Sequence, residues 1–175
     1  VFDRFGVEPS DDTVFLPFKS FYKKENFSER YANSGNSSFF LEPLEATSIS
    51  FMDEINRMSF DLTHGILSAD ECNKKYVKRM EQIQTIIMLH YINGSAFNTP
   101  FWDFAKERAR KKIEQAIKSD SDFKQFIDLS RNYKSIKDIK DSINYGTWET
   151  DIMSYNMKHL GFDKYIRQLE AKAMV

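Results

Sequence analysis

From Thr47 to the end of the chain, apolar residues recur at the three- and four-residue spacing of amphipathic helices. The clearest case follows Ser68, because Ser68 with Glu71 three residues later is the signature of a capping box. We predict a long helix from there to about Tyr91. Its predicted buried stripe comprises Cys72, Tyr76, Met80, Ile83, Ile87 and Tyr91. Further helices are predicted over about 47–58, 99–117, 122–131, 148–160 and 162–174.

Two of these helices carry further residues that we expect in the core. In the first, Ile49, Met52 and Ile55 lie at helical spacing, and Phe51 could join them. In the helix that starts at Thr99, Pro100 occupies the first helical position, where its missing N–H costs nothing. The aromatic residues that follow are expected to be core residues of a helix bundle: Phe101, Trp102 and Phe104.

The first forty-odd residues follow a different pattern. The apolar run Val14–Phe21, interrupted by Pro17, predicts one or two short strands. The turn-forming run Asn33–Ser38 predicts a loop. The chain is therefore predicted to be α+β, with a short β-rich lead-in over residues 1–46 and a mainly helical region over residues 47–175.

Composition narrows the classes of function. The 175 residues suit a single domain, and 25 basic against 26 acidic residues leave a net charge of −1. This balance argues against a general polyphosphate binder, so no nucleic-acid partner is expected. The one cysteine, Cys72, excludes an internal disulfide and a zinc site of clustered cysteines, and it is expected to be buried.

Other kinds of site and partner are also disfavoured. No apolar run approaches the roughly 20 residues of a membrane span, so no membrane partner is expected. His64, His90 and His159 lack metal-ligand spacing, so no metal is expected, and His90 is interpreted as a hydrogen-bonded core or helix-terminal histidine. The six glycines lie far apart, and neither glycine-rich phosphate-binding motif can be written. These residues alone are therefore not expected to hold a nucleotide phosphate in such a loop.

The segment Glu42–Ser48 is the most informative part of the chain. Glu42 and Glu45 stand three residues apart around a proline, directly before the predicted first helix. A helix N-terminus offers free N–H groups and a positive dipole end, which together favour an anion. On spacing alone, the favoured role of Glu45 and Thr47 is to cap the helix, because caps are common.

Several motifs resemble those of flavin-dependent halogenases of the tryptophan-halogenase family. Residues 39–49, FFLEPLEATSI, resemble the family signature GF-x-EPLE-[AS]-T-[GS]-I, although Phe39 stands where the family has a glycine. Residues 88–91, LHY preceded by methionine, and then residues 99–102, TPFW, resemble a second family motif. The segment 15–19 resembles the family segment upstream of EPLE. Trp148, followed by Gly161, resembles a C-terminal family helix.

The resemblance implies a specific chemistry. Reduced FAD, supplied by a flavin reductase through a transient partner or free diffusion, reacts with O2 to give a C4a-hydroperoxide. A halide ion, chloride or bromide, attacks it and forms hypohalous acid, which halogenates an electron-rich, indole-like aromatic substrate. By resemblance, Glu45 is catalytic, the backbone N–H groups of Thr47 and Ser48 bind the halide, and Trp148 stacks on the substrate. For Trp148, the alternative is core packing.

The family's glycine-rich flavin loop and its catalytic lysine are not present in these residues. We therefore expect the chain to be the C-terminal portion of a halogenase, inactive and poorly soluble as an isolated fragment, with its flavin module upstream. The complete protein is expected to be a cytoplasmic oxidoreductase of secondary metabolism that can form a homo-oligomer. Two alternatives are a non-catalytic helical interaction module with the family's architecture and a related flavoprotein monooxygenase.

Overall fold

A computed structural model describes Gly6 and residues 19–42, 47–93 and 98–173. Two short strand pairs accompany a set of packed helices, which confirms the predicted α+β, mainly helical class. The described elements are β1 (Phe21–Tyr22), β2 (Phe39–Phe40), α1 (Thr47–Thr63), α2 (Ala69–Ile92), α3 (Pro100–Ser119), α4 (Ser121–Asn132), β3 (Asn144–Tyr145), β4 (Trp148–Glu149), α5 (Thr150–His159) and α6 (Phe162–Ala173). Two 3-10 turns lie at Gly35–Ser37 and Ile136–Asp141.

The lead-in is short and is tied to α2 by polar contacts. Strands β1 and β2 pair antiparallel, with Tyr22 opposite Phe39. The Asn73 side chain on α2 accepts hydrogen bonds from the backbone N–H groups of Asn26 and Phe27, both at 2.8 Å, and donates one to the Phe27 carbonyl at 2.9 Å. These bonds satisfy backbone groups that no strand partner satisfies. The strand residues predicted within 14–18 lie outside the described residues.

Two clusters of buried apolar side chains form the interior, and α2 contributes to both. The N-terminal core consists of Phe27, Phe39, Leu41, Phe51, Ile55, Met58, Cys72, Tyr76, Met80, Ile83 and Ile87. The C-terminal core consists of Ile86, Leu89, Ile92, Ala109, Ile113, Ala116, Ile117, Phe123, Phe126, Ile127, Tyr145, Trp148, Met153, Met157, Phe162, Ile166 and Leu169. Met88 and Tyr91, which are partly buried, pack against both.

The buried faces of α1 and α2 largely match the predicted pattern. The capping box of α2 is present, since the Ser68 side chain accepts from the Glu71 N–H and the Glu71 carboxylate accepts from the Ser68 N–H. The α2 stripe is confirmed from Cys72 to Ile87, whereas Tyr91 at its end is only partly buried. On α1 the prediction for Ile49 is wrong, because Ile49 is 68% exposed. The buried face of α1 instead follows Thr47, Phe51, Ile55 and Met58, and Ile49 points about 200° away from Phe51.

The start of α3 is more exposed than predicted. Helix α3 buries Ala105, Ala109, Ile113, Ala116 and Ile117 against α2 and α6. The prediction that Phe101 and Phe104 are core residues is wrong, because they are 59% and 65% exposed, while Trp102 is half-buried. Phe101 lies one turn beyond the N-terminal end of the buried stripe. Phe104 is rotated about 100° away from Ala105.

Trp148 lies on a strand, not in the helix predicted over residues 148–160. It pairs with Tyr145 in the β3–β4 hairpin, and α5 begins two residues later. The hairpin turn requires glycine at Gly146, whose φ is +60°. A Cβ there would lie 3.2 Å from the Ile83 backbone nitrogen, so the turn packs directly against the α2 backbone.

Charged side chains connect the last helix, α6, to α4. Arg131 on α4 donates to Asp163 at 2.6 Å and makes a paired contact with the Glu170 carboxylate at 3.0 and 2.9 Å, both carboxylates being on α6. This geometry joins α4 to α6 across the C-terminal core. Within the part of the chain that the structure describes, no helix combines the length and apolar character needed to cross a membrane.

Candidate functional site

The EPLE segment, residues 42–45, lies in the sequence between the two buried residues Leu41 and Thr47. Leu41, just before it, is buried in the N-terminal core, and α1 begins after it at the buried Thr47. The prediction that the segment leads directly into a helix is therefore confirmed. Glu45, the predicted catalytic carboxylate, lies in the stretch 43–46, outside the described residues.

Thr47 and Ser48, the predicted halide ligands, are the first two residues of α1. The first four N–H groups of an α-helix have no partner within the helix, and they sum to a partial positive charge. Thr47 is buried and Ser48 half-buried, and the first turn of α1 contains no acidic residue. The helix start is therefore suited electrostatically to an anion, and halide binding stays a prediction.

Glu42, the first carboxylate of the segment, is held by a tyrosine from the end of α2. The Tyr91 hydroxyl donates a hydrogen bond to Glu42 Oε2. Burial, followed by the hydrogen bond to Glu42 and its charge, raises the pKa of Tyr91 to about 12, while Arg108 acts in the opposite direction. The Tyr91 hydroxyl therefore keeps its proton at physiological pH and acts as a hydrogen-bond donor.

Two small cavities meet at Glu42. One of about 100 Å³ extends towards Lys112, and one of about 60 Å³ extends towards Phe101 and Phe104. Glu42, Met88 and Arg108 line both cavities. Sequence reasoning did not assign a function to Glu42, Tyr91 or Arg108. The signal that could have found the first two is that both stand inside the family-like motifs, EPLE and LHY.

Trp148 lies elsewhere in the molecule. It is 2% exposed in the C-terminal core, and its ring is parallel to that of Phe162, with centroids 6.3 Å apart. The His90 ring meets it edge-on at 5.3 Å, and His90 Nδ1 lies 3.1 Å from the Ile86 carbonyl oxygen. The structure therefore groups Trp148 with packing residues of the C-terminal core, whereas Glu42 lines a cavity with Leu41 and Ile87 of the N-terminal core. Its role in substrate stacking stays a prediction.

A further cavity, of about 440 Å³, is lined mainly by charged and polar residues of α1, α2 and α4. Its charges are mostly paired: Lys78 lies 2.6 Å from Asp122, and Arg79 lies 3.0 Å from Glu54. Over residues 19–42, 47–93 and 98–173, no cluster of three or more His, Cys, Asp or Glu side chains is arranged to hold a metal ion. This cavity is therefore best described as a salt-bridged surface cleft.

Comparison with known proteins gives one match. A family model described as "Tryptophan halogenase" matches residues 1–135, which include the EPLE segment, the LHY and TPFW motifs, and helices α1 to α4. No curated protein and no solved structure matches the chain. The β3–β4 hairpin, α5 and α6 lie beyond the matched range.

Proposed function

The chain belongs to the tryptophan halogenase family, and from that premise we propose that it forms the C-terminal portion of a flavin-dependent halogenase acting on an electron-rich, indole-like aromatic. The single observation that carries the proposal is the start of α1 at Thr47, directly after the EPLE segment and without an acidic residue in its first turn.

The proposal places the halide at the start of α1 and the glycine-rich flavin loop outside these residues. What supports a halide ion there is the positive end of the helix dipole, together with the absence of an acidic residue from the first described turn of α1. No glycine loop for a dinucleotide phosphate can be written in the sequence, so the residues here that contact FAD stay unassigned. We assign the glycine-rich FAD-binding loop to the remainder of the proposed enzyme, which receives reduced flavin from a reductase and works in the cytoplasm.

In this proposal the backbone N–H groups of Thr47 and Ser48 hold the halide. Glu45, three residues before the second of these, is close enough along the chain to act on the oxidised halogen or to accept the proton that the aromatic ring loses. A carboxylate beside a helix N-terminus is stabilised as the anion, which is the form that accepts a proton.

Replacing Glu45 with glutamine tests the proposal. In the complete protein, with a flavin reductase, O2 and bromide, Glu45→Gln is expected to abolish halogenation of an indole while flavin binding persists. Glu149→Gln is the matched control. Glu149 follows Trp148 in β4, its carboxylate is exposed, and its side chain makes no capping hydrogen bond to the helix that follows. Undiminished turnover by Glu45→Gln would disprove the catalytic assignment.

One observation favours a second candidate, a non-catalytic interaction module. Phe101 and Phe104 are exposed at the start of α3, and adjacent exposed aromatic side chains often mark a contact surface. The same assay distinguishes the two candidate functions. If the protein is an interaction module, the complete wild-type protein makes no halide-dependent product under any flavin supply.

A further inference from the structure

Tyr91 lies where the N-terminal core, the C-terminal core and the start of α3 meet. It is in the last turn of α2, and its partly buried ring packs against both the N-terminal and the C-terminal core. Its ring centroid is 5.8 Å from that of Trp102 at the start of α3. A side chain held on all these sides has little freedom to move, so its hydroxyl occupies a defined position.

That hydroxyl donates to the Glu42 carboxylate. The bond connects the end of α2 to the segment that carries Glu45 and leads into α1. Four residues separate Glu42 from Thr47, so their Cα atoms are at most about 19 Å apart along an extended chain. The position of Glu42 therefore limits, through a short stretch of chain, where the chain can enter α1.

We propose that Tyr91 is a positioning residue for halogenation, which holds Glu42, five residues before the start of α1, through its hydrogen bond. This inference rests on the proposed function, because the reacting groups that Tyr91 would position are Glu45 and the N–H groups of Thr47 and Ser48. Tyr91 itself touches no reacting atom in this scheme.

The chain contains a matched control for the loss of such a bond. Tyr145 in the C-terminal core donates its hydroxyl to Asp120 at 2.7 Å, a second tyrosine-to-carboxylate hydrogen bond. Tyr145→Phe and Tyr91→Phe each remove one hydroxyl and keep the ring. A structural role alone predicts that both substitutions change activity only in proportion to the folded fraction.

The test measures bromination by the complete protein, with kcat, the KM for the aromatic substrate and the apparent affinity for bromide. We expect Tyr91→Phe to lower kcat about tenfold or more with the aromatic KM within about twofold, because small misplacements of reacting groups reduce kcat steeply. Tyr145→Phe is expected to retain wild-type kcat per folded molecule, measured at a temperature where it is fully folded.

Variants of Glu42 show whether the bond or the charge matters. Glu42→Gln keeps an oxygen that accepts from Tyr91, so we expect it to lose less activity than Glu42→Ala. Adding Tyr91→Phe to Glu42→Ala is expected to cause no further loss, because the bond is already broken. An equal loss in Glu42→Gln and Glu42→Ala would overturn the positioning role in favour of the charge.

The two proposals fail in different ways. Full turnover by Tyr91→Phe in an active wild-type background would overturn the role of Tyr91 and leave the proposed function intact. A complete wild-type protein that makes no halogenated product would overturn both.

Discussion

The two cores of this molecule are stabilised by different means. The N-terminal core holds an irregular segment, residues 19–42, against α1 and α2, and it does so with polar side chains such as Asn73 and Tyr76, whose hydroxyl donates to the Ser38 carbonyl at 3.0 Å. The C-terminal core packs helix on helix and is closed by the contacts of Arg131 with α6. The candidate site borders the first core, while the second supplies most of the helical packing.

The C-terminal core also shows how the residues after 135, outside the family match, relate to the matched residues. The C-terminal core draws residues from both sides of residue 135, the last one matched. Ala109 and Ile113 of α3 are fully buried partly because α6 packs on α3. Residues beyond the match are therefore part of one folded unit with α3 and α4, and their loss would expose apolar surface of the matched part.

The largest effect on stability is expected in the C-terminal core. Trp148→Ala removes a large ring from the C-terminal core and is expected to reduce the free energy of unfolding by about 3–5 kcal/mol. Urea denaturation followed by circular dichroism measures the loss. Tyr155→Ala, at an exposed position on α5, is the control and is expected to change it by less than about 0.5 kcal/mol.

The same variant decides between the two roles of Trp148. A Trp148→Ala protein as stable as the wild type but unable to bind an indole would contradict the packing role and support substrate stacking. A destabilised protein with unchanged indole affinity at low temperature, where it is folded, would leave only packing.

An intermediate effect on stability is expected where Arg131 contacts the two carboxylates of α6. Arg131 is 16% exposed as a side chain, and Arg131→Met removes the cation that Glu170 contacts and leaves Asp163 paired with Arg167. We expect a loss of about 2 kcal/mol at pH 7, below the value for a fully buried pair because Asp163 is partly open to solvent.

The pH dependence identifies the cause of that loss. Burial alone would raise the pKa of Asp163, but hydrogen bonds from Arg167 and Arg131 outweigh it and hold the pKa below its usual value. A lowered pKa contributes stability above the unfolded-state pKa of about 4, and this contribution is lost as the pH falls further. The stability gap between wild type and Arg131→Met should therefore narrow below about pH 4. A gap that stays constant from pH 7 to pH 3 would show that lost packing, and not charge, explains it.

The local features of the fold could be predicted from the sequence. The α2 stripe depends on one helix face and its capping box on four consecutive residues, so both can be recognised without knowing the rest of the structure. The start of α1 after EPLE was predictable for the same reason. The β3–β4 hairpin was not, because strands of two residues are too short to show an alternating pattern.

The tertiary features of the candidate site could not be predicted. Tyr91 and Glu42 are 49 residues apart in sequence, and helical periodicity assigns Tyr91 only to a buried face. The exposure of Phe101 was missed for a related reason. Its spacing from Ala105 is that of a buried stripe, but burial at the end of a helix depends on whether another element extends far enough to cover it.

The smallest effect on stability is expected at that exposed surface, beside the candidate site. Phe101→Ser with Phe104→Ser removes two mostly exposed rings, so the free energy of unfolding should change by less than about 0.5 kcal/mol for each. Ala105→Ser, one residue further along but buried, is the control and should destabilise more, because it buries a hydroxyl. If exposed apolar surface limits the solubility of residues 1–175, the double variant should also be more soluble and monodisperse by light scattering. A double variant that melts well below the wild type would show that these rings are covered in solution, and the aromatic surface would then belong to the interior that surrounds Glu42 and Tyr91.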